Sequence, residues 1–238
     1  VQEFTYTPVV SSSRPQNYAI VGYPLGMMKA NVRQTNDAGE FLIDDDGFYI
    51  ETTEPELVGD PNPDWTAGIT NSISWNGLSL DFTWQYRHGG DMFSQDAATL
   101  VGRGVLNPGT VREGLYVLDG VNKNTGQTNT TQITAINYGF DIFSFGPGEL
   151  QIFDATTIRL SEVNLSYDFP RNLLERTPFG SLTATLTGIN LFYDAVNVPD
   201  VVNFDSNVLS TGVGNAMGLS FITGPSSRRV GLTLKATF

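Results

Sequence analysis

The chain has 238 residues, 40% of them hydrophobic, with a formal net charge of −12 and no cysteine. That length allows one or two ordinary domains with a sizeable core, and the acidic balance argues against nucleic acid, whose binding needs clustered Lys and Arg. The lack of cysteine excludes a disulfide framework and a thiolate metal site. With a mean hydropathy of −0.12, no run approaches the roughly eighteen apolar residues of a membrane helix, which leaves a β-barrel open because its strands spend half their residues on the lumen.

Val1 is followed by neither a basic nor an apolar leader region, so the expectation is that any signal peptide is gone or that the chain is one piece of something longer. Val1 to Ser13 reads as a weak or edge strand broken by Pro8, because proline cannot donate to a ladder. Arg14 to Gly26 is turn-rich, and a strand is expected from about Met27 to Arg33. Gln34 to Asp64 is a loop region with two acidic clusters and the prolines Pro55, Pro61 and Pro63.

The clearest signal is Trp65 to Arg87. Trp65, Ala67, Ile69, Ile73 and Trp75 alternate with Thr66, Gly68, Thr70, Ser72 and Ser74, with Asn71 the one lapse. After Asn76-Gly77, Leu78, Leu80, Phe82, Trp84 and Tyr86 alternate with Ser79, Asp81, Thr83, Gln85 and Arg87. A period of two places each set on its own face of a strand, and Asn-Gly between two such runs predicts a type I′ hairpin. Arms of this length match a tilted strand crossing a bilayer, about 9–11 residues, better than the five or six usual in globular sheets. A soluble β-sandwich also alternates. The aromatics favour the membrane, since Trp75 borders the turn while Trp84 and Tyr86 lie near the far end, as girdles at two interfaces would.

Gly89 to Phe153 is long, glycine-rich and mostly polar, with short apolar patches at Leu115 to Leu118 and Phe140 to Phe145. Alternation returns at Thr156: Ile158 and Leu160 share one parity, and Val163, Leu165, Tyr167 and Phe169 the other. The slip at Ser161-Glu162 predicts a β-bulge. Pro170 to Gly180 is a turn, Leu182, Ala184 and Leu186 begin another strand, and a second slip falls near Gly188 before Leu191-Phe192. Asp194 to Ser227 is a further long loop region. The chain ends on Val230, Leu232, Leu234, Ala236 and Phe238, an amphipathic strand where a soluble domain usually frays, and these five are the candidate assembly signal. With strand directions alternated back from this one, both short turns fall at one end and the three long connections at the other, as in outer-membrane barrels.

Several segments resemble SusC/RagA-type TonB-dependent transporters, in the family's order. They are Gly59-Asp60-Pro61-Asn62-Pro63-Asp64-Trp65, Tyr86-Arg87-His88-Gly89-Gly90-Asp91-Met92-Phe93, Asp154 to Pro170, Gly188-Ile189-Asn190-Leu191-Phe192 and Arg228 to Phe238, and the likeness is weakest in Gly104 to Asp141. The resemblance implies an all-β fold of antiparallel transmembrane barrel strands with long extracellular loops. About seven strands would be present from a plugged barrel of about 22, so residues 1–238 would be a carboxyl-terminal segment, without the plug and earlier strands. Such a partial sheet would leave unpaired edges in lipid. The implied function is import of oligosaccharides or peptides across the outer membrane of a Gram-negative bacterium, with a SusD-like surface lipoprotein and energy from TonB through the absent plug. A passive or adhesive outer-membrane barrel and a secreted sugar-binding β-sandwich remain as other readings.

Nothing argues for an enzyme or a cofactor. His88, the one histidine, has no nucleophile elbow nearby, and Gly212-Val213-Gly214 is followed by Met217 where a dinucleotide fingerprint wants glycine. Asp44-Asp45-Asp46-Gly47 resembles a calcium loop, but aligning Gly47 to an EF-hand glycine puts Leu42 and Thr53 at the first and last ligand positions, so no metal is expected. The substrate-lining candidates are Gln85 and Arg87, running with Thr83 up one lumenal face toward His88 and Asp91, together with Tyr116 in the long loop region. Arg159 and Glu162 are expected to pair near the bend.

Overall fold

The computed structural model describes residues 3–5 (backbone only), 14–105, 111–198, 205, 216–220 and 226–238. The chain divides into two compact units. The strand unit holds Trp65–His88, Thr156–Val196 and Pro225–Phe238, and the loop unit holds Val1–Asp64, Gly89–Ala155 and Asn197–Gly224. Among the described residues no helix is long and apolar enough to cross a membrane.

The strand unit is one five-stranded sheet: β1 (Trp65–Trp75), β2 (Leu78–His88), β3 (Thr157–Asp168), β4 (Ser181–Asp194) and β5 (Arg229–Thr237). Each strand pairs antiparallel with the one before it in sequence, an up-and-down meander. Eleven residues extend to about 37 Å and, tilted by about 45°, rise about 26 Å, the height of a barrel's apolar band. The hairpin forms as its residues require: Asn76 and Gly77 have φ of 48° and 83°, the positive values a type I′ turn needs at both central positions. A side chain at Gly77 would also come within 3.0 Å of the Asp168 carbonyl oxygen.

Register carries the alternation of single strands across the whole sheet. Ile73, Leu80, Leu165, Leu186 and Leu232 form one cross-strand row, and Trp75, Leu78, Tyr167, Ala184 and Leu234 the next. On the other face Ser74, Ser79, Ser166, Thr185 and Thr233 form a hydroxyl row, bonded at Ser74–Ser79 (3.0 Å) and Ser166–Thr185 (2.9 Å). The bulge lies where the parity slips: Leu160 and Glu162 face consecutive residues of β2, leaving Ser161 extra, and its hydroxyl donates to the Thr83 carbonyl at 3.0 Å. The second slip is at Asn190-Leu191, with Asn190 at φ 53°, just beyond Gly188.

Met27 to Arg33 behaves differently from the long strands. It forms only Met27–Ala30, in a separate four-stranded sheet with Glu3–Thr5, Gln16–Ile20 and Glu56–Gly59. Four residues reach only about 13 Å, and Met27, Met28 and Ala30 are all buried, so this segment packs inside the loop unit and is not a sixth strand of the meander. The connection at 34–64 therefore does not join two strands of the five-stranded sheet.

Among the described residues the loop unit is folded around two apolar cores. Met28, Phe93, Ala216 and Leu219 make one, flanked by Val58 and Ile152. Ile43, Leu118, Ile133 and Ile142 make the other, flanked by Phe48, Tyr49, Tyr116, Tyr138, Phe143 and Leu150. The region expected as a glycine-rich loop contains a helix, α1 (Gln95–Gly102), whose N-cap Ser94 accepts from the Ala97 N–H at 3.1 Å, and a π-helix at Tyr138–Ser144. Most of the long region after β4, and nearly all of Val1 to Ser13, lies outside the described residues.

Candidate functional site

On the polar face of the strand unit, toward the end away from the Asn76-Gly77 turn, two rows gather the chemically richest side chains. Gly68, Gln85, Arg159 and Tyr193 form one, and Thr66, Arg87 and Thr157 the other. Arg159 is only 8% exposed. Its guanidinium lies 5.0 Å from the Tyr193 ring centre and donates to Asn190 Oδ1 at 3.2 Å. The bulge explains this aim. With Ser161 extra in β3 and Asn190-Leu191 extra in β4, Asn190 is brought beside Arg159. The expected Arg159–Glu162 pair gives way to this arrangement, and Glu162 instead accepts from Asn164 Nδ2 at 2.8 Å. Such a surface of hydroxyl, amide and guanidinium groups can hydrogen-bond a polar ligand or another protein surface.

The structure separates the sequence-derived candidates. Gln85 and Arg87 share the polar face with Thr83. His88 does not: it pairs with Trp65, whose ring centre is 5.4 Å away, and stacks at 6.3 Å on Tyr86, on the apolar face. Parity dictates this, since residue 88 is two on from Tyr86. Asp91 and Tyr116 belong to the loop unit. Tyr116 packs 4.9 Å from the Tyr138 ring, and its hydroxyl accepts from the Val111 N–H (2.6 Å) and donates to the Val111 carbonyl (3.1 Å), so it supports the loop fold. Val230, Leu232, Leu234 and Ala236 lie along β5 on the apolar face, and Phe238 follows it with its ring 5.4 Å from Phe179.

Asp91 sits in a tight node. Its N–H donates to the Asp60 carbonyl at 2.6 Å, and its carboxylate accepts from the Asp60 N–H at 2.9 Å. A Cβ on Gly59 would come within 2.9 Å of Asp91, and one on Gly218 (φ +69°) within 2.7 Å of Pro61. Asp60 Oδ1 in turn accepts from the Asn62 N–H and side-chain amide. The Gly-Asp-Pro-Asn-Pro and Gly-Gly-Asp motifs are therefore a structural clasp. Burial raises the Asp91 pKa, the bond from Asp60 opposes the rise, and the nearby Asp154 and Asp60 charges add to it.

Asp44 and Asp45 are similarly committed. Asp44 Oδ1 accepts from the N–H groups of Asp46 and Phe48, and Asp45 accepts from the side-chain amides of Asn122 and Asn124 at 2.9 Å each. Among the described residues no group of three or more His, Asp or Glu side chains is placed to hold a metal ion.

No family model matches the chain. Two proteins of Formosa agariphila do. TonB-dependent receptor P26 is 27% identical over 194 residues, 79% of this chain, and TonB-dependent receptor P3 is 24% identical over 212 residues, 84% of it. This chain is similar to TonB-dependent receptors over most of its length. It spans only 18% and 19% of those two relatives, however. The fold likeness agrees: the RagAB peptide transporter superposes over 100% of this chain and 25% of its own, with a TM-score of 0.56 at 16% identity. The same importer in its open-open state gives 0.54. The chain thus has the fold of a segment of that peptide transporter.

Proposed function

We propose that the chain is a carboxyl-terminal part of the barrel wall and extracellular loops of an outer-membrane active transporter. In this reading it works with a SusD-like lipoprotein and imports oligosaccharides or peptides, driven by TonB through a plug that belongs to the rest of the protein, as do the remaining strands. The observation that carries this is the apolar face of the meander. Among the described residues none of the buried apolar ones lies on β1 to β5, while Ile69, Ile73, Leu165, Leu186, Val230, Leu232 and Leu234 stand open on one face. A soluble monomer rarely leaves so large a contiguous apolar surface to water. Lipid is the solvent that suits it, and the aromatic residues Trp65 and Tyr86 at one end and Trp75 and Tyr167 at the other suit the two interfaces. The polar face then lines the lumen, with Gln85, Arg87 and Arg159 as the groups a passing ligand or the plug would meet.

The test is uptake of fluorescent oligosaccharides and peptides by intact cells, with and without TonB, beside fractionation of the native protein. The reading requires a detergent-extracted protein of the outer membrane and uptake that stops without TonB. Uptake indifferent to TonB would mean a passive pore, and a protein soluble without detergent would return the β-sandwich.

A further inference from the structure

The loop unit holds a cavity of about 570 Å³ between the end of α1 and the π-helix. Its lining is largely apolar, with Val101, Tyr138, Phe140 and Phe143 partly or fully buried and Ile136 open to solvent at its edge, and Arg103, Arg112 and Glu113 complete it at the mouth. The walls are braced. A Cβ on Gly102 would come within 3.0 Å of the Gly139 carbonyl, so the two helices touch backbone to backbone, and the Ser144 hydroxyl ties them by donating to the Ala98 carbonyl at 2.8 Å. The rim is also placed: Arg112 donates to the Gly104 carbonyl at 3.0 Å, and the Arg103 guanidinium stands 5.5 Å from the Phe140 ring centre. Both arginines are solvent-exposed, while Val101 and Gly102 beneath them are buried.

The geometry points to a subsite for the carboxyl-terminal end of a short peptide whose last side chain is apolar. That side chain enters among Val101, Ile136, Phe140 and Phe143, and its carboxylate meets Arg103 and Arg112. This rests on the import reading above and narrows its ligand class. An oligosaccharide fits less well, because most of the lining is apolar, with Tyr138 the one uncharged side chain that carries a hydroxyl, and most hydroxyls set against it would lose their water. A polyanionic chain also fits poorly, because Glu113 beside the two arginines leaves the mouth only one net positive charge. A cavity that is mostly apolar with a few convergent polar groups is the usual form of a small-ligand site, and a π-helix in its wall is a common companion of function.

The probe is a dansyl-labelled pentapeptide of glycines ending in phenylalanine, prepared as the free acid and as the amide, and titrated onto the intact transporter with its partner chains in outer-membrane vesicles. The acid should bind about tenfold more tightly than the amide, the ratio expected of one charge-assisted pairing. The double variant Arg103→Gln/Arg112→Gln should bring the two forms together while the protein stays at its normal level in the membrane. Ile136→Trp, which crowds the opening of the cavity, should weaken both. Equal binding of acid and amide by the unaltered protein, or binding of neither, overturns the proposal. TonB-dependent uptake measured in the same cells separates the two readings: its persistence beside equal binding sinks the peptide site alone, and its absence beside a tenfold ratio sinks the import reading alone.

Discussion

Leu232 and Phe93 are both apolar residues on strands, yet Leu232 leaves 70% of its surface open and Phe93 none. The contrast runs through the two units. In the loop unit, strands of two to four residues converge on Met28, Phe93 and Leu219, or on Ile43, Leu118 and Ile133, and bury them against one another. In the strand unit, strands of nine to fourteen residues pair edge to edge and leave Ile69, Ile73, Leu186 and Leu232 exposed on their apolar face. The loop unit is built as proteins are built for water. On the proposed reading, lipid covers the apolar face of the strand unit and further strands pair with its edges.

Substitutions can break this comparison. The largest effect is expected from Phe93→Ala. Truncating a fully buried Phe should cost about 3–5 kcal/mol, read as loss of hydrogen-exchange protection at 91–94 and 152–154, the strands paired beside it. Protection in β1 to β5 should persist, and its collapse would mean that the two units are not separately held. Next, Leu186→Arg places a charge mid-row on the apolar face and should cost about 2–4 kcal/mol in lipid. Thr185→Arg, one residue along on the polar face, should cost far less. Urea midpoints of the native protein in lipid vesicles compare the two, and equal losses would erase the distinction between faces.

Gly77→Ala should cost about 1–2 kcal/mol, because φ of +83° disfavours a side chain, and the same midpoint reads it. The smallest expected effect concerns pH in the loop unit. The Asp91 pKa is raised in the fold, chiefly by burial, so the folded state holds its proton more tightly than the unfolded chain. Its contribution is therefore fully present below the ordinary carboxylate value and is lost as pH rises through the raised one. Exchange protection around 59–62 and 91–93 should fall over that interval, and Asp91→Asn should flatten the fall.

What could be read from the sequence follows the same division. The hairpin, both faces of the meander and the bulge at Ser161 were legible, because a period of two and an Asn-Gly turn are local signals. The loop unit was not. Its cores join residues as distant as Met28 and Leu219, and two-residue strands leave no period to see. One local signal was present there: Ser94 as cap, Asp96 in the first turn, and apolar Ala97, Ala98 and Val101 mark the start and face of α1. Of the candidate site, Gln85 and Arg87 follow from parity. His88 follows them directly along the chain, but its parity places it with Tyr86. The pairing of Arg159 with Asn190 and Tyr193 depends on a double bulge that spacing alone does not resolve.

The central claim is that the apolar face of β2 to β5 meets lipid and the polar face meets water. Single nitroxide labels at consecutive positions 78–87 and 229–237 of the native protein, in its membrane, test it through their accessibility to oxygen and to a water-soluble nickel complex. A period of two is expected: oxygen maxima at Leu80, Phe82, Trp84, Leu232 and Leu234, and nickel maxima at Asp81, Thr83, Gln85, Thr233 and Lys235. Equal nickel accessibility of the two sets, or maxima exchanged between them, would contradict it.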